Sequence, residues 1–313
     1  MHCNIRGSVL EHRGSTARQK TLKAAIHCRG VGLHTGARVN MTLHPAAAGA
    51  GITFRRRDLG DAEITAHWRN ISDSTLCTTI GTDDSVKVAT IEHLMAALAG
   101  LEIDNAIVEL DGPEVPVMDG SAAPFVFLIE CAGVVEQTAP RRGIKVLKPV
   151  KVNVDGSSAS LLPAESFRLS FAIDFASSAI RCQELNYDVD AESFKHDLSR
   201  ARTFGFLDDV ERMRKAGLAR GGSLENAVVI SGDRILNKEG LRYDDEFVRH
   251  KMLDALGDLY LAGGAIIGHF HGVRSGHALN HRLLAALFAD PAAWRPTTLA
   301  APVWDEEPQR VRA

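Results

Sequence analysis

Glu246 to Ala262, EFVRHKMLDALGDLYLA, is the stretch on which the fold turns. Read as a helix, it is apolar around most of its circumference, with Phe247, Val248, Met252, Leu253, Ala255, Leu256, Leu259, Tyr260 and Leu261. A helix that is hydrophobic nearly all round belongs in a core. His250, Asp254 and Asp258 nevertheless recur at i, i+4 and i+8, which stacks them in one stripe on one face. Burying an ionised carboxylate is costly unless it is paired or bound to a metal. Nothing else on this helix satisfies the stripe, so its partner comes from elsewhere in the chain. A divalent cation taking one imidazole and one carboxylate is one solution. An internal His250–Asp254 hydrogen bond, with Arg249 or Lys251 covering the rest, is the other, and the helix alone leaves both open.

A second stretch of the same kind lies upstream. Thr90 to Gly100, TIEHLMAALAG, has Thr90 as its predicted N-cap, Gly100 as its stop and an almost wholly apolar interior. Glu92 and His93 sit in its first turn. Each buried helix is followed by a short turn and an apolar strand, Ala106-Ile107-Val108 in one case and Ala265-Ile266-Ile267 in the other. That echo predicts two similar α+β halves.

The segments around these helices fill in the frame. From Thr21, TLKAAIHCRGVGLHTGARVNMTLHPA reads as strand, glycine turn, strand. Its Gly30-Val31-Gly32-Leu33-His34-Thr35-Gly36 is not a dinucleotide fingerprint, because the third glycine is one place late and a strand follows where a helix is required. A hairpin whose glycines permit close backbone approach fits better. AIVEL, ending at Leu110, reads as a strand, and Pro113, Pro116 and Asp119-Gly120 mark a loop before a helix over 122–131. Strands are predicted over 144–154, 158–162, 168–175, 227–231 and 265–270, a helix over 191–200 and a loop over 201–226. Pro140-Arg141-Arg142-Gly143 is the predicted linker. The expected parts are a loose extension over 1–18, a first domain over 19–139, a second over 144–289 and a loosely held, proline-bearing tail over 290–313.

Bulk properties narrow the class. A chain of 313 residues suits two domains of ordinary size. Its hydrophobic content of 45% and charged content of 24% are those of a globular protein. A net charge of −3 gives no reason to expect nucleic-acid binding, and Arg55-Arg56-Arg57 reads first as a solvated strand end. Cys3, Cys28, Cys77, Cys131 and Cys182 are odd in number and contain no CxxC pair, which argues for a reducing compartment. No apolar run is long enough to span a bilayer, and the N-terminus lacks the apolar core of a secretory signal. A cytoplasmic protein is expected, with room for work at a membrane surface.

The two helices carry complementary polar groups. His93 adds a second imidazole to His250 and Asp254, and two histidines with one carboxylate leave an open coordination position, as in catalytic zinc sites. Glu92, beside His93, is then the natural general base for a metal-bound water. A helix N-terminus favours a carboxylate through its dipole, which would explain Glu92 but not His93. Ser275-Gly276-His277-Ala278-Leu279-Asn280 follows the last predicted strand. His277 is read there as a loop residue and candidate general acid, with Asp258 as the partner that keeps it cationic. The same ligand set describes the facial triad of non-haem iron(II) oxygenases, though those need no carboxylic base beside a ligand.

Several of these stretches also carry a family likeness. GVGLHTG, TIEHLMAALAG, PEVPVMDGSAAPF, SRARTFGF, EFVRHKMLDALGD and SGHALN resemble, in order, the UDP-3-O-acyl-N-acetylglucosamine deacetylases of Gram-negative bacteria. The motifs run from about Thr21 to Leu287. The resemblance implies two β-α-α-β sandwiches with the active site between them, in agreement with the echo. It implies an amidohydrolase that removes acetate from the 2-amino group of a UDP-linked acylated amino sugar, the committed step of lipid A synthesis. By position His93, His250 and Asp254 match the family's zinc ligands, with iron(II) as the alternative metal in the cell, and Glu92 matches its general base. His277 matches the general acid, oriented by Asp258, and Thr203 a hydroxyl that stabilises the oxyanion. Lys251, Asp174 and Phe175 fall where the family holds the nucleotide. Phe204, Gly222 and Ser223 fall near its acyl-chain passage, and Leu33 is counted with the substrate-binding residues. A monomer acting near the inner membrane is the matching expectation.

Departures from the family are few. The first twenty or so residues exceed what the family usually carries, and no role is assigned to them. His269 and His271 stand in the last predicted strand where less polar residues are expected, though a further metal site there is disfavoured. The dehydratase domain fused to some relatives is not expected, since the chain ends soon after the last motif. Two other readings compete with the deacetylase. An iron(II) oxygenase would depend on oxygen and iron but not on Glu92. A non-catalytic metal or nucleotide-sugar binder would keep its function in Glu92→Ala, and it has no need of Glu92, Thr203 and His277 together.

Overall fold

The structure is a computed structural model and describes residues 16–83 and 85–301. Its first half contains β1 (Arg18–Leu22), β2 (Ile26–Val31), β3 (Arg38–Pro45), β4 (Ile52–Arg56) and β5 (Ala62–Thr65). Short strands β6 (Ile71–Asp73), β7 (Thr79–Gly81) and β8 (Lys87–Val88) follow, then α1 (Glu92–Gly100), β9 (Ala106–Leu110), α2 (Ala123–Ala132) and β10 (Val134–Pro140). The second half opens with β11 (Arg142–Val146), β12 (Val150–Val154), β13 (Ser157–Leu162), β14 (Phe167–Asp174) and β15 (Cys182–Asp188). It continues through α3 (Ala191–Ser193), β16 (Phe204–Phe206), α4 (Leu207–Lys215), β17 (Val228–Ser231) and β18 (Arg234–Ile235). It closes with α5 (Glu246–Tyr260), β19 (Ala265–Val273), α6 (His277–Ala289) and β20 (Trp294–Thr298).

Period-two burial explains the strands. β3 turns Val39, Met41 and Leu43 inward, β9 turns in Ala106, Val108 and Leu110, and β19 alternates along all nine residues. One sheet has the order β2-β3-β9-β4-β5, with β3 antiparallel and β4 parallel to the central β9. In the other, β12, β13, β19, β14 and β15 are neighbours in that order, with β13 antiparallel and β14 parallel to β19. The echo seen in the sequence is therefore a repeated mixed α/β topology. β11 and β20 extend the second sheet beside the first residues of β19.

α1 and α5 pack against each other within one continuous apolar core. Each fully buried Leu, Met or Phe contributes roughly 1.5–3 kcal/mol, which lets α5 carry a buried polar stripe. The contact is backbone to backbone: a Cβ on Gly257 would lie 2.0 Å from the Glu92 carbonyl oxygen. Among the described residues no helix is long and apolar enough to cross a membrane.

Several expectations need correction. Thr90 is not an N-cap: it has φ 56°, its hydroxyl donates to Glu114 Oε1 at 2.9 Å, and the capping position is Ile91. Gly100 is the last helical residue, and a Cβ there would meet the Phe194 ring at 2.1 Å, so packing rather than a turn requires glycine. The predicted helix over 191–200 is the short α3 running into a π-turn at Phe194–Leu198. The predicted loop over 201–226 contains β16 and α4. Of the predicted linker only Arg141 lies outside a strand, between the end of β10 and the start of β11. Arg141 is buried, and its guanidinium reaches Asp104 Oδ1 at 3.0 Å and Glu102 Oε1 at 2.7 Å. Of the expected loose extension, 1–15 lie outside the described residues, while Thr16 bridges Ala300 and Arg18 opens β1. The tail is held as far as it is described: β20 pairs with β11 over five residues and Trp294 packs on Phe288, with ring centroids 4.9 Å apart. Residues 302–313 lie outside the description.

The glycine hairpin is as expected. β2 and β3 pair across it, and a Cβ on Gly32 would lie 2.3 Å from the Glu114 carboxylate. That carboxylate accepts the backbone N–H groups of His34 and Thr35 at 2.8 and 2.9 Å.

Candidate metal centre and its proton-transfer groups

The first turn of α1 and the middle of α5 bring three donor groups together. One ligating atom from each of His93, His250 and Asp254 lies within 4.8 Å of the others, and all three residues are buried. Asp254 Oδ1 stands 3.3 Å from His250 Nε2 and 3.6 Å from His93 Nε2, and the imidazole rings meet edge to face with centroids 5.0 Å apart. Asp254 Oδ1 has no hydrogen-bond partner, whereas Oδ2 accepts from Lys251 Nζ at 2.8 Å. A buried, unsatisfied carboxylate oxygen is costly, and one facing two imidazole nitrogens is suited to a cation.

The histidine electronics agree with a ligand role. His250 donates Nδ1–H to the Ala201 carbonyl at 3.1 Å, which leaves the Nε2 lone pair directed at the cluster. Burial outweighs the pull of Asp254 and lowers the His250 pKa to about 4, so the ring is neutral near pH 7. Burial would raise the Asp254 pKa, but His250 and Lys251 hold it well below the usual carboxylate range.

Glu92 and His277 flank this cluster. Glu92 is buried, its Oε2 accepts the Thr78 N–H at 3.0 Å, and burial raises its pKa. His277 is the first residue of α6 rather than a loop residue. Its Nδ1 faces Asp258 Oδ2 at 2.9 Å, and its Nε2 lies 4.0 Å from Asp254 Oδ2. Burial and the helix N-terminus both disfavour a cation there, yet Asp258 prevails and lifts the His277 pKa to about 9. For Asp258, burial is outweighed by His277 and His281, and its pKa falls to about 2.

The sequence reading missed two members of this group. Thr78, fully buried ahead of β7, donates from Oγ1 to Asp258 Oδ1 at 2.5 Å. His281, on α6, places Nε2 at 2.8 Å from the same Oγ1. Asn280, inside a quoted motif but given no role, donates Nδ2–H to Asp258 Oδ2 at 2.9 Å, and Ser275 Oγ donates to its Oδ1 at 2.7 Å. His281 stands at i+4 from His277, a signal available once the segment is read as helical.

A cleft of about 660 Å³ opens onto the cluster, lined by Thr203, Phe204, Phe175, Lys251 and His277 among others. Asp174, Gly222, Ser223 and Leu33 are not in that lining. Asp174 is an exposed residue at the end of β14. Gly221 donates its N–H to the Leu33 carbonyl at 3.0 Å, and a Cβ on Gly222 would lie 3.6 Å from Leu33 Cδ1, so those two neighbour each other. Ser223 is exposed and turns back on Asn226, its N–H reaching Oδ1 at 2.8 Å. Thr203 is held by the first half, its N–H donating to the Gly120 carbonyl at 2.8 Å. His269 Nε2 is engaged by Ser170 Oγ at 2.7 Å. A larger cleft of about 1050 Å³, beside Arg141 and Tyr260, shares no residue with the first.

Known proteins resemble this chain over nearly its whole length. A family profile described as UDP-3-O-acyl N-acetylglycosamine deacetylase matches residues 19–289. The UDP-3-O-acyl-N-acetylglucosamine deacetylase of Nitrosococcus oceani is 52% identical over 294 residues, covering 91% of this chain and 96% of that protein. That of Idiomarina loihiensis is 50% identical over 295 residues, covering 93% and 94%. The Vibrio campbellii protein of the same name is 47% identical over 303 residues, covering 95% and 99%. Matched by this profile along its two helices and by relatives of such identity, the chain belongs to the UDP-3-O-acyl N-acetylglycosamine deacetylase family.

Proposed function

We propose that the protein is a metal-dependent amidohydrolase that removes the N-acetyl group of UDP-3-O-acyl-N-acetylglucosamine, the committed step of lipid A synthesis. Family membership supports the substrate and the reaction class. The observation that carries the metal reading is the buried Asp254 Oδ1, without a hydrogen-bond partner and facing two imidazole nitrogens. His93, His250 and Asp254 would hold the ion, and two imidazoles with one carboxylate suit zinc, with iron(II) as the cellular alternative. When bound, the ion supplies Lewis-acid polarisation of the acetyl carbonyl and of a water.

The side chains supply the rest. Glu92, with its basicity raised by burial and its carboxylate aimed by the Thr78 N–H, takes a proton from the attacking water. The Thr203 hydroxyl, on the cleft wall, donates to the oxyanion that develops on the acetyl oxygen. His277, kept cationic by Asp258, gives its Nε2 proton to the sugar nitrogen as the C–N bond breaks. Acetate and a free amine leave the site. Lys251 and Phe175, with Asp174 beside them, are assigned to the nucleotide, and Phe204, Leu33, Gly222 and Ser223 to the acyl chain. In this reading residues 19–139 and 144–289 form two β-α-α-β sandwich domains with the site between them, in a cytoplasmic monomer working near the inner membrane. The repeated strand order and the α1–α5 contact support it.

An oxygenase fits less well, because Glu92 lies beside a ligand with a raised pKa, a base that oxygen chemistry does not need. Metal analysis of the purified protein, with a deacetylation assay before and after chelation and zinc add-back, tests the proposal. Loss and recovery of acetate release are expected. A rate untouched by complete metal removal would overturn the metal-dependent reading.

A further inference from the structure

We infer that Thr78 and His281 are positioning residues that align both proposed proton-transfer groups at once, Glu92 directly and His277 through Asp258. The inference rests on the roles given above to Glu92 and His277, and Thr78 and His281 need not touch substrate.

Thr78 hydrogen-bonds to both sides. Its main-chain N–H donates to Glu92 Oε2 at 3.0 Å, and its hydroxyl donates to Asp258 Oδ1 at 2.5 Å. A hydroxyl has one proton and spends it on the carboxylate. The 2.8 Å contact between Thr78 Oγ1 and His281 Nε2 must then run the other way, with the ring as donor. His281 therefore carries a proton on Nε2, and burial, which lowers its pKa, favours the neutral ring. Its buried Nδ1 has no partner, which a neutral acceptor nitrogen tolerates better than an N–H would. A directed chain results, from His281 Nε2–H to Thr78 Oγ1–H to Asp258 Oδ1. On the other carboxylate oxygen, Asp258 Oδ2 accepts from Asn280 Nδ2 at 2.9 Å and faces His277 Nδ1 at 2.9 Å. Asp258 is thus held on both oxygens, which fixes the direction in which His277 presents Nε2. Networks of this kind act as a unit and set orientation more than binding.

Thr78→Val keeps the shape and the main-chain N–H but removes the hydroxyl. The expected result is a kcat about tenfold to a hundredfold lower, with KM and metal content unchanged. Thr78→Ser should restore most of the rate, and His281→Leu should lower kcat by a similar factor, with the double variant little worse than either. A signature independent of turnover is the imidazole nitrogen spectrum at pH 7, where His281 is expected with its proton on Nε2. A proton on Nδ1, or losses in the two single variants that simply multiply, would overturn the inference. His277→Gln separates the two levels of the reading. Undiminished turnover there sinks the general-acid assignment, whereas undiminished turnover in Thr78→Val beside a crippled His277→Gln sinks only this one.

Discussion

The two halves of the molecule repeat one frame and load it differently. In each, four strands of one sheet are followed by an inserted small sheet, a buried helix, the central fifth strand and a second helix. The first buried helix, α1, places Glu92 and His93 in its first turn, where unpaired N–H groups and the dipole favour a carboxylate. The second, α5, spreads His250, Asp254 and Asp258 along its middle, where no such help exists. Compensation there comes from Lys251, Thr78, Asn280 and the helix α6. The counterpart of α6 in the first half is α2, which has no acidic residue in its first turn and no basic residue in its last. A duplicated scaffold thus carries a single asymmetric site.

The sharpest test of that asymmetry is to remove one ligand from each half. His93→Ala and Asp254→Ala should each abolish metal binding and nearly all turnover, as read by metal content and acetate release. Metal retained in His93→Ala would mean that the second half holds the ion alone, and the comparison would break. Next in size, Glu92→Ala should keep its metal and lose about 10²- to 10⁴-fold in kcat. An unchanged rate there would leave the first half with only a ligand role.

Asp258→Asn should act through His277, with a smaller loss of about ten- to a hundredfold. The sign follows from the pKa: His277 donates only as a cation, so turnover falls as pH rises through about 9. Without the Asp258 charge that basic limb moves to lower pH. A limb that stays in place in Asp258→Asn would detach His277 from the profile. Smallest in chemistry but general in effect, Gly257→Ala should destabilise the fold by about 1–3 kcal/mol and weaken metal affinity, because the added methyl pushes α1 from α5. A thermal melt and a metal titration check it together.

Much of this was legible in the chain because burial of a charge is hard to disguise. The apolar surround of His250, Asp254 and Asp258, and of Glu92 and His93, pointed to two core helices that had to share something. The repeat was visible as helix, turn and strand, though the strand order needed the pairing registers. The segment from Leu207 to Lys215 escaped although Leu207, Val210 and Met213 recur at i, i+3 and i+6, because it is short, strongly charged and fully buries none of them. Thr78 was invisible for a different reason. It is one threonine between Cys77 and Thr79, and its importance lies in a contact 180 residues away in the chain. The tail containing Pro296 looked loose because proline suggested it, but a proline is tolerated in an edge strand, and β20 is one.

Arg141 bears on how firmly the two halves are joined. The two sheets are joined covalently only there, and even its main chain is occupied, the amide by Ala17 and the carbonyl by Leu299. A joint so short, with both main-chain groups hydrogen-bonded, is poorly suited to act as a swivel. A jaw-like motion of the halves about this joint is therefore not expected. The spacing of His93 on α1 from His250 and Asp254 on α5 is thereby braced at two places, the helix contact and this strand junction.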